Sequence, residues 1–264
     1  MKISVIVTTY NRPDALKKVI QGLLSQTKSP HEIIIADDGS SRETQHLINE
    51  LAASSTLCPI IHVWQEDKGF RAARIRNLAI KKTTGKYIIT LDGDCIPERH
   101  FIEDHLKLAK EDFFFQGKRV LVEKDFSKSF VFINTKEKIR LILQAIRGEI
   151  SNIHHIVRIP FFPISETKKL SGIKSCNMGF FKKDLYAVNG FNQDFIGWGR
   201  EDSELAVRLY NLGLKRRGHP FMAICFHLWH GENDRTRMDI NDKLLQEQID
   251  SKMIACKNGI SKQE

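Results

Sequence analysis

Two carboxylates, Asp92 and Asp94, stand one residue apart at the end of the apolar run Ile88-Ile89-Thr90-Leu91. Acidic side chains are rarely buried without a partner. A pair at the carboxyl end of a strand calls for a cation, and an oxygen-only pair suits Mg²⁺ or Mn²⁺. A divalent ion held by one or two carboxylates completes its shell with water and substrate phosphates. The stretch therefore reads as a nucleotide-diphosphate site; the competing reading is a plain Asp-Gly turn. A second group of acids, Glu201, Asp202 and Glu204, follows Gly197-Trp198-Gly199-Arg200. A tryptophan face packs on the C–H face of a pyranose while neighbouring carboxylates accept its hydroxyls, and one of them can serve as general base. The same acids also suit the dipole of a first helical turn. His227 and His230 flank Leu228-Trp229. They can complete the shell of a cation at Asp94, or they are interface histidines beside an aromatic ring.

These groups need elements to hold them. Residues 3–7, 31–36, 60–64 and 86–91 read as strands rich in Ile and Val. Between them lie a helix opening at Pro13 with Leu16, Val19, Ile20, Leu23 and Leu24 on one face, a second over 43–53, and a basic third carrying Arg71, Arg74, Arg76 and Asn77. Such alternation implies an α/β fold with a parallel sheet and right-handed crossovers, whose ligand sits beyond the carboxyl ends of the strands. The polar loops 8–12, 36–40, 65–70 and 92–95 all fall there. No GxGxxG follows the first strand and no GxxxxGK[ST] occurs, which argues against a dinucleotide oxidoreductase and a P-loop enzyme.

The rest is less regular. Residues 98–110 read as a helix and 113–122 as a strand or hairpin arm. Lys136 to Ile150 reads as a basic amphipathic helix with Ile139, Leu143, Ile146 and Ile150 on one face, expected to pack on a core, with an anionic membrane surface as the other partner. Residues 161–163 read as a loop that could border a site, and His154-His155 carries no assignment. Residues 175–181 and 221–226 read as strands, 182–186 as a short helix, the stretch from Glu201 as a helix with Leu205, Ala206, Leu209 and Leu212 inward, and 239–257 as a terminal helix.

The net charge of +9 favours anionic partners, namely nucleotides, phosphorylated glycans, an acidic membrane face or nucleic acid. Lys215-Arg216-Arg217 is one basic cluster. Five scattered cysteines without a CxxC pair suggest neither a zinc knuckle nor a disulfide framework and fit a reducing cytosol. No apolar run reaches the roughly 18 residues of a spanning helix, and the first residues read as a strand rather than a signal peptide. A cytoplasmic protein, peripheral at the inner face of a membrane, is the expectation.

Together, Val-Ile-Val-Thr-Thr-Tyr-Asn-Arg (5–12), Ala-Asp-Asp-Gly-Ser (36–40), Gly69 with Ala73-Arg74 and Arg76-Asn77, and Leu-Asp-Gly-Asp (91–94) resemble family 2 glycosyltransferases of the GT-A fold. Cys-Asn-Met-Gly-Phe (176–180) through Gly-Trp-Gly-Arg-Glu-Asp (197–202) is similar to the carboxy-terminal part shared by β-1,4-galactosyltransferases and chondroitin-polymerase type enzymes. The resemblance covers residues 1–95 and 174–232. It implies a Rossmann-like, mostly parallel central sheet with helices on both faces and a smaller acceptor-side carboxy-terminal portion. It divides a single domain, 1–264, into a nucleotide-binding half (1–95), a variable region (96–173), an acceptor and catalytic half (174–238) and a terminal helix (239–264).

The resemblance also implies roles. Thr8, Tyr10, Arg12 and Asp38 line a uridine pocket, Arg76 and Lys68 lie near base or diphosphate, and Asp92 faces the ribose and metal side. Asp94 binds Mn²⁺ (or Mg²⁺), with His230 and His227 as further ligands. Trp198 and Glu201 hold the sugars, and Asp202 is the catalytic base. Ser203 stands where many galactosyltransferases carry a third acid. The implied reaction is an inverting transfer from a UDP-sugar donor to a glycan or glycolipid acceptor in bacterial surface polysaccharide or lipopolysaccharide synthesis. The rivals are a sugar nucleotidyltransferase, which would usually carry a glycine-rich phosphate loop where Thr8–Arg12 has no glycine, and a lectin-like or nucleic-acid-binding module. Nucleic acid is not an expected partner, since acids fill the site and no RNA-binding aromatic platform is evident.

Overall fold

The computed structural model describes residues 1–132, 137–232 and 234–261. The first third runs β1 (Ile3–Thr9), α1 (Pro13–Leu24), β2 (Glu32–Asp37), α2 (Arg42–Ser54), β3 (Ile60–Trp64), α3 (Ala72–Lys82) and β4 (Tyr87–Asp92). Along each strand successive side chains point to opposite faces, and both faces here are apolar. Val5, Val7, Ile33, Ile35, Ile89 and Leu91 enter the core beneath α1 and α2. Ile6, Ile34, Ala36 and Ile88 enter the core beneath α3. Leu16, Val19, Ile20 and Leu23 of α1 are fully buried, each worth about 1.5–3 kcal/mol of transfer free energy.

The chain continues through β5 (Cys95–Pro97), α4 (Phe101–Leu108), β6 (Phe113–Gln116), β7 (Lys118–Val122), α5 (Lys124–Ser129), α6 (Glu137–Ile146), β8 (Ile150–Ser151), a single 3-10 turn (Ile153–His155) and β9 (Ser165–Thr167). Then follow β10 (Asn177–Phe181), α7 (Lys182–Ala187), α8 (Glu201–Asn211), β11 (Lys215–Gly218), β12 (Ile224–Leu228) and α9 (Met238–Ser251). Eight strands form the central sheet in the order β3-β2-β1-β4-β10-β6-β11-β9. β1 to β4 are parallel, β10 runs antiparallel between β4 and β6, β11 is parallel to β6, and β9 closes the edge antiparallel to β11. A smaller sheet, β5-β12-β7-β8, packs on the first core. Among the described residues no helix is long and apolar enough to cross a membrane.

Several boundaries differ from the sequence reading. The helix expected from Lys136 to Ile150 is described from Glu137 and ends at Ile146; Lys136 lies outside the described residues. Gly148 adopts a left-handed φ of 75°, and Ile150 pairs with Val122 instead of extending the helix. The expected core stripe forms only in part: Ile150 is buried, and the Ile139 side chain lies outside the described residues. Leu141 is buried with Ala145 partly so, whereas Leu143 and Ile146 are 56% and 78% exposed. The helix expected at 98–110 is shorter, Phe101–Leu108, and the terminal helix stops at Ser251, where Lys252 is left-handed. The strand expected at 221–226 is β12, 224–228, because Ala223 has a φ of 51° and turns the chain before it. Lys215-Arg216-Arg217 forms strand β11, with Lys215 exposed and Arg217 paired to Glu166.

Candidate active site

The carboxyl ends of β1, β2 and β4 and the start of α8 enclose a cavity of about 360 Å³. Thr8, Tyr10, Arg12, Asp38, Arg76, Asp92, Asp94, Trp198, Glu201 and His230 all line it. Gly93 is required where β1 and β4 meet: its N–H donates to the Thr8 carbonyl at 2.7 Å, and a Cβ there would lie 2.9 Å from that oxygen. This contact sets Asp92 and Asp94 at the cavity mouth. Lys68 stands apart, exposed and paired with Glu66 at 2.7 Å, and does not line the cavity.

Arg76 links the two halves of the chain. It is buried on α3, and its guanidinium donates to Thr8 Oγ1 at 3.2 Å, Glu201 Oε1 at 3.0 Å and Asp92 Oδ1 at 3.4 Å. It lies over the Phe191 ring. A guanidinium presents five donors in a fixed fork, so one side chain can fix β1, β4 and α8 together. Asp38 is buried and accepts from the Arg71 N–H at 2.8 Å and from Gln65, which in turn accepts from Arg74 at 2.7 Å. Burial pushes the Asp38 carboxyl up from its usual range, against these hydrogen bonds. Tyr10 is exposed and donates to Asp67 Oδ2 at 2.8 Å.

The turn before α8 is bent as its glycines predict. Gly197 and Gly199 have φ of 79° and 107°, and Arg200 follows at 76°. The terminal helix holds this turn: Asn241 of α9 donates to the Gly199 carbonyl at 3.0 Å, and Arg237 to the Ile196 carbonyl at 3.1 Å. Trp198 is half-buried with the Arg235 guanidinium 5.3 Å from its ring centroid. Asp202 accepts from the Ser175 N–H at 3.1 Å and the Ser203 N–H at 2.7 Å. Burial, then the neighbouring Glu201 charge, pushes its carboxyl up to about 7. It lines a second cavity, of about 280 Å³, that shares Asp92, Ser175, Trp198 and Glu201 with the first.

Asp94 is where charge converges. Its Oδ2 pairs with Arg12 at 2.7 Å and lies 3.7 Å from His230 Nε2, while its Oδ1 lies 3.7 Å from His227 Nε2. One ligand atom each from Asp94, Cys95 and His227 falls within 4.8 Å of the others. This donor set fits a divalent cation. Burial and then the Arg119 charge push the His227 imidazole down to about 3, so it is neutral and its lone pair is free. Burial pushes the Cys95 thiol well up, leaving the Asp94 carboxylate and the His227 imidazole as the available donors.

The sequence reading missed other residues. Gln65, Phe70 and Ser175 hold Asp38, wall the cavity and anchor Asp202 respectively, and none carries a motif of its own. Cys95, Cys176 and Cys225, widely spaced in sequence, are free buried thiols, and the neighbouring Cys176 and Cys225 help push the Cys95 thiol up.

Similarity to known proteins follows the same two halves. The family model described as "Glycosyl transferase family 2" matches residues 4–164, and the one described as "N-terminal domain of galactosyltransferase" matches residues 159–231. A chondroitin synthase of Escherichia coli is 26% identical over 225 residues, 80% of this chain and 32% of its own length. A hyaluronan synthase of Pasteurella multocida is 28% identical over 226 residues, 80% of this chain and 23% of its own. The Escherichia coli protein WfaP, named as a UDP-Glc:alpha-D-GlcNAc-diphosphoundecaprenol beta-1,3-glucosyltransferase, is 34% identical over 136 residues, 51% of this chain and 52% of its own. The chain thus spans a third or less of the two synthases. Among solved structures, S. aureus TarS 1-349 superposes with a TM-score of 0.63 over 94% of this chain and 65% of that one, at 15% identity, which establishes a shared fold. With the mostly parallel sheet, the acidic strand-end cavity and a family match over more than half its length, the chain has the GT-A fold and belongs to glycosyltransferase family 2.

Proposed function

We propose that this chain transfers a sugar from a UDP-sugar to a hydroxyl of a glycan or glycolipid acceptor, in surface polysaccharide or lipopolysaccharide synthesis, inverting the anomeric carbon in a single displacement. The observation that carries the reading is Asp202. Its carboxylate is anchored by two backbone N–H groups in the second cavity, beside the Glu201 and Trp198 that both cavities share, and burial pushes it up to about 7, where a general base is most effective. An acceptor hydroxyl beside Asp202 passes its proton to the carboxylate as it attacks the anomeric carbon. Trp198 packs on a sugar face, Glu201 accepts a sugar hydroxyl, and Thr8, Tyr10, Arg12 and Asp38 line the uridine side. Arg76 keeps Asp92 and Glu201 in register. Asp94, His227 and His230 would hold Mn²⁺ or Mg²⁺. When bound, the cation neutralises charge on the diphosphate leaving group.

The names of the relatives support a glycan product, as does the galactosyltransferase match over the half that carries Trp198 and Asp202. Peripheral contact with an anionic membrane belongs to the same reading, supported by Phe161, which is 97% exposed, and by Leu143 and Ile146 on α6. Calorimetry with a panel of UDP-sugars, in Mn²⁺ and then EDTA, tests the donor site: metal-dependent binding of one of them is expected. Product analysis tests the rest. A β-glycoside from an α-linked donor with release of UDP is expected; an α-glycoside removes the single displacement, and pyrophosphate release favours a nucleotidyltransferase.

A further inference from the structure

The site does not end at Asp202. The 280 Å³ cavity beyond it is also lined by Arg119, Lys174 and Cys176. Those three residues continue into a third cavity, of about 230 Å³, which adds Lys118 and His155. Among the described residues no acidic side chain lines this third cavity. Through these shared lining residues the three spaces make one groove leading from the strand ends, past the proposed base, into a pocket whose charged side chains are all basic.

Among the described residues no carboxylate pairs with the cations of that pocket, although the Asp94 charge is near enough to interact with Arg119. The hydrogen-bond partner of the Arg119 guanidinium among the described residues is the Cys176 thiol, at 3.8 Å, rather than a carboxylate. The side chains of Lys118 and Lys174 are exposed, and neither makes an ion pair among the described residues. His155 adds no charge: its Nδ1 lies 2.6 Å from the Pro220 carbonyl, and burial holds the ring below its ordinary pKa. A partly buried guanidinium without a carboxylate is costly unless a ligand supplies one. Its planar fork matches a carboxylate or phosphate in two parallel hydrogen bonds. Lys174 also adjoins Ser175, whose N–H anchors Asp202, so the basic pocket begins one residue from the group that holds the base.

We infer that this pocket seats an oxyanion of the acceptor, a uronate carboxylate or a phosphate, with Arg119, Lys118 and Lys174 as its ligands. The inference rests on the transferase reading, because it takes the acceptor hydroxyl to lie at Asp202. The acceptor is then anionic a short way from the reacting hydroxyl, and neutral glycans of the same linkage are poor substrates.

The experiment compares acceptors that differ in charge alone: a neutral disaccharide, its counterpart with a uronic acid, and its counterpart with a glycosyl phosphate. Wild-type protein is expected to use one charged acceptor with a kcat/KM at least about tenfold above the neutral one, and which arm responds names the source of the oxyanion. Lys118→Gln with Lys174→Gln, both exposed, is expected to raise the KM of that acceptor toward the neutral value. Donor KM, and UDP release without acceptor, stay unchanged. Arg119→Gln is expected to raise that KM more strongly, but it also removes a charge beside His227 and neighbours buried thiols, so the lysine pair is the primary test. Equal use of neutral and charged acceptors, or a preference that survives the lysine substitutions, overturns the inference while leaving the donor site intact. A wild-type protein that neither binds nor hydrolyses any UDP-sugar overturns the transferase reading itself, and this inference with it.

Discussion

Asp38, Asp92, Asp94 and Glu201 line the cavity at the strand ends; Lys118, Arg119 and Lys174 line the pocket at the far end of the same groove. The acids bring their own counter-ions, since Arg12 pairs with Asp94 and Arg76 with both Asp92 and Glu201. Among the described residues no carboxylate pairs with Lys118, Arg119 or Lys174, and a thiol faces the arginine. Two ways of meeting negative charge follow. The first cavity keeps an excess of acid, four carboxylates against two arginines, and suits a ligand that arrives with a cation between it and the acids. The second is electrostatically incomplete and suits a ligand that is itself the anion. Trp198, Glu201 and Asp202 line the cavity that joins them, where donor and acceptor would meet.

Substituting Asp202 should have the largest effect. Asp202→Asn keeps an oxygen that can accept from Ser175 and Ser203 but removes the base. Transfer should fall by about 10²–10⁴-fold, the usual contribution of general base catalysis, with UDP-sugar affinity within a factor of two. Near-full turnover in a steady-state assay would take the base role from Asp202.

The frame behind the joining cavity is the next place to break the comparison. Arg208 and Glu204 of α8 are both fully buried, pair at 2.6 Å, and tie the helix to the Val188 carbonyl. Arg208→Met leaves an unpaired buried carboxylate, which costs about 3–5 kcal/mol. Urea denaturation should show that loss, and Glu204→Met in the same chain should recover much of it. Since α8 presents Glu201 and Asp202, both ends of the groove should lose function together. A variant with unchanged stability would mean that the pair does not hold α8.

Removing the acidic end alone should be milder. Asp94→Ala deletes the carboxylate that His227 and His230 face. Metal-dependent UDP binding should weaken by at least the roughly 10–100-fold that loss of an outer-shell partner costs at metal sites. Calorimetry in Mn²⁺ and in EDTA separates this from a general loss of affinity, and equal binding in both conditions for wild type would remove the metal role. The basic end should be untouched, so the preference among charged acceptors should survive.

The two ends differed in how legible they were. β1, β2 and β4 are buried on both faces, so their sequences are near-continuous Ile and Val runs, and short polar loops mark the ligand end directly. Asp92, Asp94 and Asp202 stood out because acids beside glycines at element ends have few other uses. Lys118 and Arg119 did not: adjacent side chains on a strand point to opposite faces, and nothing local says that a cavity lies along β7. The pairing of Arg12 with Asp94 spans 82 residues and exists only once β1 and β4 are neighbours. α6 was misjudged because amphipathicity identifies an apolar face without saying what covers it, and Gly148 turns the chain before Ile150 can join that face.

The smallest effect, and the sharpest test of the cavity that joins the two ends, is in the pH profile. Asp202 is held above its unfolded pKa, which is about 4. The folded protein therefore binds that proton more tightly, and the contribution to stability is full below about pH 4 and is lost as pH rises through about 7. Activity runs the other way, because the base must be ionised: kcat/KM should rise about tenfold per unit up to the region of pH 7 and then level. Glu201→Gln removes a neighbouring negative charge and also releases Arg76 from its pair, and both changes favour the ionised form of Asp202. The inflection should therefore move to lower pH even as the maximal rate falls from the lost sugar contact. A profile that moves to higher pH, or does not move, would show that the titrating group lies elsewhere in the groove.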